Sequence, residues 1–442
     1  MTSHHHESSH ASILSISDAI ARKEGTATVR GWVWRERGSA AVKFIVLRDS
    51  TGVLQCVCKK ESFSDAQWKE IDKLQVEASL ILTGTLHEDQ RAPTGVEMKV
   101  TALTIVGTSD TFPITKDQSV EFLADNRHLW LRSRKMTAIL KIRSTVFGAI
   151  HAYFREHAFH EYQSPIFQSV QCEGGSTLFE VPYFGAKGVF LAQTWQLYAE
   201  PAIFALERIY TIAPSFRAEK SKTSRHLTEY WHAEMEAAWA RFDEIIDHGE
   251  GVIKRAVREV LAKHEADLKI LERDPEKLRP ALEKPFPRMT YTDALKLLKE
   301  KAGMEVEWGK DLRTVEEDEL SKLHDTPICV TRYPKIVKAF YMKEDPEDTR
   351  TVLGVDFIAP EGYGELIGGS ERESDLEEIK KRLVAQGEDP SHYEFYLDTR
   401  RYGSVPHGGF GMGVERLVAW ICGLDSIKDA IPFPRTVLRW TP

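Results

Sequence analysis

The chain has 442 residues, 42% of them hydrophobic and 29% charged, which suits two to four domains at roughly 150 residues each. No stretch reaches the roughly 18 apolar residues of a membrane-spanning helix, which excludes such helices. A formal charge of −8 argues against indiscriminate nucleic-acid binding but leaves room for a local basic face, because salt screens charges beyond about 8–10 Å.

The opening stretch, Met1-Thr-Ser-His-His-His-Glu-Ser-Ser-His10, is polar and simple in composition. It reads as a disordered tail, with metal binding by His4, His5, His6 and His10 as the alternative. Residues 1–25 are expected to be tail and lead-in, without the apolar core of a secretory signal. The five cysteines are unevenly spread and make no disulfide framework, so a reducing, cytoplasmic setting is expected.

Residues 26–108 carry five short β-branched and aromatic segments, at 28–34, 42–48, 53–58, 78–86 and 97–106, each bounded by turn residues. Asp49-Ser-Thr-Gly52 joins the second and third. Between the third and fourth, Trp68, Ile71 and Leu74 share one helical face. Three strands, a helix and two more strands match a five-stranded barrel of the oligonucleotide-binding type, another small β domain being the alternative. Cys56 and Cys58 point to one side of the third strand and are expected to be half-buried, since two thiols do not complete a tetrahedral zinc site.

A linker or hinge is expected over 109–132, followed by a larger domain over 133–442. There the helical pattern of Ile139, Ile142, Val146, Ile150 and Phe154 leads into an extended segment at Tyr162-Gln-Ser-Pro165. Strands are predicted at 189–192, 209–213, 230–239, 328–332, 351–358 and 365–369, and charge-laced helices at 242–281 and 291–301. A helical insert is expected over about 242–326. Strands and helices do not alternate regularly, which argues for α+β rather than a doubly wound parallel sheet. Neither a P-loop nor a dinucleotide-binding glycine pattern occurs.

Three clusters place charge where a core would reject it. Phe216-Arg217-Ala218-Glu219 is followed by Arg225-His226 and by a strand whose Tyr230, His232, Glu234 and Glu236 project to one face. That face lines a polar cleft, or is the solvated face of an edge strand. Asp356 and Glu365, on neighbouring strand ends ahead of Gly368-Gly369, suit Mg²⁺ shared with substrate phosphates, or else flank a glycine hairpin. His407-Gly-Gly-Phe-Gly411-Met-Gly413-Val-Glu415-Arg416 opens a helix and offers backbone N–H groups and a guanidinium to an anion, or is a structural glycine connection. Taken together, Arg217, Arg225, Arg416 and the paired carboxylates describe a nucleoside triphosphate held by charge.

These residues resemble a known family. Phe216-Arg217-Ala218-Glu219 is similar to motif 2 of the class II aminoacyl-tRNA synthetases, and Gly411-Met-Gly413-Val-Glu415-Arg416 to motif 3. The long helix ahead of Ser164-Pro165 resembles motif 1. With a barrel in front, the order is that of the aspartyl, asparaginyl and lysyl subgroup. Gln193-Thr-Trp-Gln196-Leu-Tyr198-Ala199 and Gly368-Gly-Ser-Glu-Arg372 resemble its aspartyl and asparaginyl members.

The resemblance implies an α+β catalytic domain with an antiparallel sheet, an anticodon-binding barrel, ATP and Mg²⁺ as cofactors, and a homodimer through the region Lys135 to Pro165. It also implies a reaction that activates an amino acid and transfers it to tRNA. Asparagine and tRNA(Asn) are the expected partners. Ala199 stands where aspartyl enzymes carry a lysine, and Glu234 accepts from a carboxamide while repelling a carboxylate. An aspartyl enzyme, possibly charging both tRNAs, and an asparagine synthetase-like paralogue are the alternatives. By resemblance Arg217 and Arg416 are catalytic, and Arg217, Glu219, Arg225, His226, Tyr230, Glu365 and Arg416 bind ATP. Glu173, Gln196, Glu234 and Arg372 hold the amino acid, and Asp356 and Glu365 hold the metal. Phe44, Gln55 and Arg35 read the anticodon, Phe44 as plain barrel core being the other reading.

Overall fold

The computed structural model describes residues 12–116, 118–172, 178–221 and 223–441. They form two compact units that divide between Leu123 and Ala124.

The first unit is a closed barrel of the strands Gly25–Gly38, Val42–Arg48, Val53–Lys59, Ser79–Glu88 and Val96–Gly107. The first strand pairs with both the second and the fourth, and the third pairs parallel with the fifth. Alternate residues such as Val29, Ile45, Leu47, Leu54, Leu82 and Met98 fill its interior, as period-two patterning requires. Helix Asp65–Asp72 starts on a capping box between Ser64 and Gln67 and turns Trp68 and Ile71 inward. Cys56 and Cys58 are fully buried in this core rather than half-buried. The expected lead-in is partly ordered, because Ile13–Leu14 adds a parallel strand and helix Ile16–Arg22 buries Ile16 and Ala19 against the barrel.

The second unit is built on an eight-stranded sheet in the order Arg288–Thr290, Ile328–Thr331, Gly354–Ala359, Gly364–Glu371, His407–Gly413, Glu229–Ala238, Arg208–Phe216, His160–Glu161. The six inner strands pair antiparallel, and the two outermost pairs are parallel. Helices Arg134–Glu156, Phe242–Lys263 and Val414–Cys422 share the large core with the sheet. The first starts on Ser133, whose hydroxyl accepts the Met136 N–H.

Three expectations change. Phe242–Lys263 does not pad the surface, since its face of Ile245, Ile246, Val252, Ile253, Val257 and Val260 lies in that core. His407–Gly413 is a central strand, not an anion-binding loop. Gly408, Gly409 and Gly411 are required by close packing, since a Cβ on Gly409, for instance, would lie 1.9 Å from the Met235 carbonyl oxygen. The expected linker is also shorter at its far end: Arg127 is buried, donating to Asp429 and to the carbonyls of Lys428, Ile431 and Pro432.

Candidate active site

One face of the sheet opens into a cavity of about 500 Å³ lined by Arg217, His232, Glu234, Asp356, Glu365 and Arg372, among others. A smaller lobe of about 100 Å³ is lined by Arg217, Glu219, Arg225, His226, Tyr230 and Arg416, with His232, Glu365 and Gly411 shared between the two. Arg217 also lines both, so the two lobes adjoin. Strand Glu229–Ala238 builds it by alternation: Ala233 and Met235 enter the core, while Tyr230, His232 and Glu234 face the cavity.

In the smaller lobe the Arg217 guanidinium lies 5.5 Å from the centre of the Tyr230 ring, a cation–π arrangement that positions both. Arg416 is anchored by donating Nη1 to the Glu365 carbonyl at 2.7 Å. His226 sits 3.8 Å from Glu219. Burial, with Arg416 adding like charge, lowers its pKa and favours the neutral ring. Arg225 is not directed at the lobe alone, because it donates to Asp318 at 2.7 Å and to the Gly362 carbonyl. To hold a phosphate it has to leave these partners.

The carboxylates Asp356 and Glu365 come from adjacent strands and crowd the space above Gly368. A Cβ there would meet Glu365 Oε1 at 2.9 Å and Asp356 Oδ1 at 3.7 Å. Asp356 is paired with Lys338 at 2.7 Å. Burial pushes its carboxyl up to about 6 against the pull of Lys338, and Glu365 adds like charge. Glu317, on helix Thr314–Ser321, is driven to about 8 by burial and by Glu365. Carboxyl oxygens crowded together in this way fit a hard divalent cation, which would displace their protons. Sequence reasoning missed Lys338 and Glu317 as members of this cluster. Lys338 belonged to none of the three charged clusters, and Glu317 lay inside the expected insert.

At the other end of the cavity, Glu234 accepts hydrogen bonds from the Thr194 hydroxyl and from the Trp195 N–H at 2.9 Å, and lies 3.1 Å from His232. Burial favours its neutral form, yet His232 and these donors hold its pKa below the ordinary value. Arg372 donates to Ser370 Oγ at 2.7 Å and to the Glu236 carboxylate. Glu236 is therefore not on the cavity wall but underneath it, and burial drives its pKa to about 7 despite Arg372. Gln196 lines the cavity and donates to Glu200 at 2.9 Å. Ala199, expected at the substrate, does not line the cavity. Its methyl is fully buried among Trp195, Ile203, Ile209 and Ala238. Glu173 lies outside the described residues.

In the barrel unit, strand register sets Arg35, Val46, Gln55 and Glu97 in one row, and Arg37, Phe44, Val57 and Lys99 in the next. Phe44 is half-buried beneath the Arg37 guanidinium, 4.9 Å from its ring centre, so it is not part of the barrel interior. Gln55 donates to Glu97 at 2.5 Å, and Arg35 stacks 4.2 Å over Trp34.

A barrel unit followed in the chain by a sheet whose cleft converges arginines and carboxylates is the architecture of a class II synthetase. Residues 119–437 match the family tRNA synthetases class II (D, K and N), and residues 27–106 match the OB-fold nucleic acid binding domain. The chain belongs to this synthetase family, on its asparagine--tRNA ligase branch. It is 48% identical over 432 residues to the asparagine--tRNA ligase of Thermoplasma acidophilum, covering 97% of this chain and 100% of that protein. The asparaginyl-tRNA synthetase of Pyrococcus horikoshii complexed with asparaginyl-adenylate superposes with a TM-score of 0.94 at 43% identity, covering 98% of this chain and 100% of that one. The Entamoeba histolytica asparaginyl-tRNA synthetase, also in complex with asparaginyl-adenylate, gives 0.87 at 32% identity, with 97% and 99% covered.

Proposed function

We propose that the protein activates asparagine with ATP and transfers it to the 3′ end of tRNA(Asn), and that the reaction runs in the cleft around Arg217. An oxygen of the asparagine carboxylate attacks the α-phosphorus of ATP. The new O–P bond replaces the bond to the β-phosphate, and pyrophosphate leaves. The adenylate then acylates the terminal ribose hydroxyl of the tRNA and AMP is released. No protein nucleophile is needed, because such transfers depend on positioning and on neutralising charge.

The observation that carries this reading is that Arg217 lines one cavity together with Glu234 and Arg372. In it, Arg217 meets the α-phosphate and the substrate carboxylate, Tyr230 stacks on adenine, and Glu219 accepts from the adenine amino group. His226 and Arg416 hold the outer phosphates, joined by Arg225 once it leaves Asp318. Gln196 accepts from the α-ammonium, and Glu173 is assigned to the same end. Glu234 accepts from the carboxamide NH₂, while Arg372 donates to its oxygen. Asp356 and Glu365 would hold Mg²⁺, which supplies charge neutralisation on the phosphates when bound. Phe44, Gln55 and Arg35 form the anticodon face. The working form is a cytoplasmic homodimer joined through the region 135–165. No helix among the described residues is long and apolar enough to cross a membrane.

ATP–pyrophosphate exchange with asparagine and aspartate side by side tests the reading. Asparagine should be preferred by about 10⁴ or more, as expected of a site that pairs buried polar groups with an amide. Faster exchange with aspartate would reverse the substrate assignment. Arg217→Ala should abolish exchange in a folded protein, and near-normal exchange in that variant would remove Arg217 from the chemistry.

A further inference from the structure

Behind the amide end of the cavity lies a fully buried carboxylate that the reaction does not touch. Glu200 is 0% exposed and does not line the cavity. Its Oε1 accepts from Gln196 Nε2 at 2.9 Å and from the Tyr396 hydroxyl at 3.1 Å. Its Oε2 lies 2.7 Å from Arg400 Nη1 and 3.0 Å from His407 Nε2. On its remaining side Arg372 approaches to 4.0 Å.

This arrangement does two things to groups that do face the substrate. A carboxylate only accepts, so Glu200 draws the NH₂ of Gln196 toward itself and turns the Gln196 carbonyl oxygen away, where it accepts from Cys172 Sγ at 3.7 Å. It is also the second anion on Arg372, whose other partner is Glu236. Two buried carboxylates, Glu236 and Glu200, therefore face the Arg372 guanidinium where the substrate's side chain ends, while Arg400 and His407 hold the other oxygen of Glu200.

We propose that Glu200 is a specificity-determining positioning residue: by sharing Arg372 with Glu236, it keeps that guanidinium from attracting a carboxylate and so tunes the pocket for a neutral carboxamide. The inference rests on assigning Glu234 and Arg372 to the substrate's side chain. It places the electrostatic determinant at Glu200 rather than at its neighbour Ala199, which packs away from the cavity. In a water-poor site a single charge change of this kind outweighs a change of shape.

The test is ATP–pyrophosphate exchange by the full-length chain with asparagine and with aspartate, comparing the two kcat/KM values. Glu200→Gln keeps the volume and removes the charge. The ratio of asparagine to aspartate should fall at least tenfold, and Glu200→Asp, which keeps the charge, should restore most of it. A residue that merely braces the fold would depress both substrates alike, and an unchanged ratio in Glu200→Gln overturns the proposal. Should Glu200→Gln not fold, Glu236→Gln removes the other anion on Arg372 and decides the matter by the same ratio. Arg372→Gln separates the two levels. If it leaves asparagine exchange intact, the side-chain assignment itself is wrong. If it abolishes exchange while Glu200→Gln keeps the ratio, only the role of Glu200 is lost.

Discussion

Gly411 and His232 meet at the centre of the cleft so closely that a Cβ on Gly411 would lie 2.4 Å from the imidazole Nε2. The ring in turn stands 3.1 Å from Glu234, so any side chain at 411 displaces the imidazole that neighbours the carboxylate proposed to bind the amide. Gly411→Ala should lower kcat/KM for asparagine in pyrophosphate exchange by about 10²-fold, the usual consequence of an ångström-scale displacement of a binding group. The fold should lose only ~1–3 kcal/mol, an overpacking cost. Exchange within a few-fold of the parent protein would mean that His232 can move without consequence.

Arg143, on the long helix Arg134–Glu156, reaches Glu415 of the helix after the glycine-rich strand at 2.8 Å. It also donates to the Ala430 carbonyl at 3.0 Å. Glu415 accepts the Trp231 N–H at 2.9 Å and so ties the strand Glu229–Ala238 to both helices. Removing one partner of a buried pair leaves an uncompensated charge, so Arg143→Met should cost ~3–5 kcal/mol in denaturant unfolding. Adding Glu415→Gln should recover part of that loss. Strict additivity of the two changes would show that the pair is not coupled.

Why some of this was legible in the sequence and some was not follows from particular residues. The barrel strands alternate cleanly because one face is buried, and the long helix repeats its apolar residues every three or four positions, so both announce their geometry locally. Arg217, Glu234, Arg372 and Arg416 stood out because charge in an otherwise apolar setting needs a partner or a ligand. The strand His407–Gly413 did not read as a strand, since glycine disfavours strands wherever close packing does not demand it. Lys338, Glu317 and Glu200 could not be joined to the site from the sequence, because their partners Asp356, Glu365 and Arg372 lie on other segments of the chain. The direction of Ala199 was equally hidden: a helical turn decides whether a residue faces the cavity or the core, and motif spacing alone does not.

His248 lies against Tyr153, with its Nδ1 3.1 Å from the Tyr153 hydroxyl, and 3.5 Å from Arg208. Burial, reinforced by Arg208, pushes its pKa down from 6.5 to about 4. The folded protein therefore holds the neutral ring, and the associated stability is present above about pH 6.5 and drains away as the pH falls toward 4. A shift of this size corresponds to roughly 3 kcal/mol over that window. His248→Gln should destabilise the protein at pH 7.5 and progressively less at lower pH. Urea midpoints of both proteins between pH 4 and 8 measure this, and a constant difference across the series would deny that His248 resists protonation.

On the barrel, Phe44 and Gln55 stand in adjacent rows of the outer face, with Arg37 over the Phe44 ring. Stacking of an unpaired base on such a ring contributes ~1–3 kcal/mol. Phe44→Ala should therefore lower kcat/KM for tRNA in the complete aminoacylation reaction by about 10–100-fold. The partial reaction with asparagine and ATP needs no anticodon and should stay within about twofold. A half-buried ring on the outer face contributes less to stability than one in the barrel interior, so the unfolding midpoint should move little. Loss of both activities together would instead mark Phe44 as a structural residue of the barrel and leave the anticodon face to be found elsewhere.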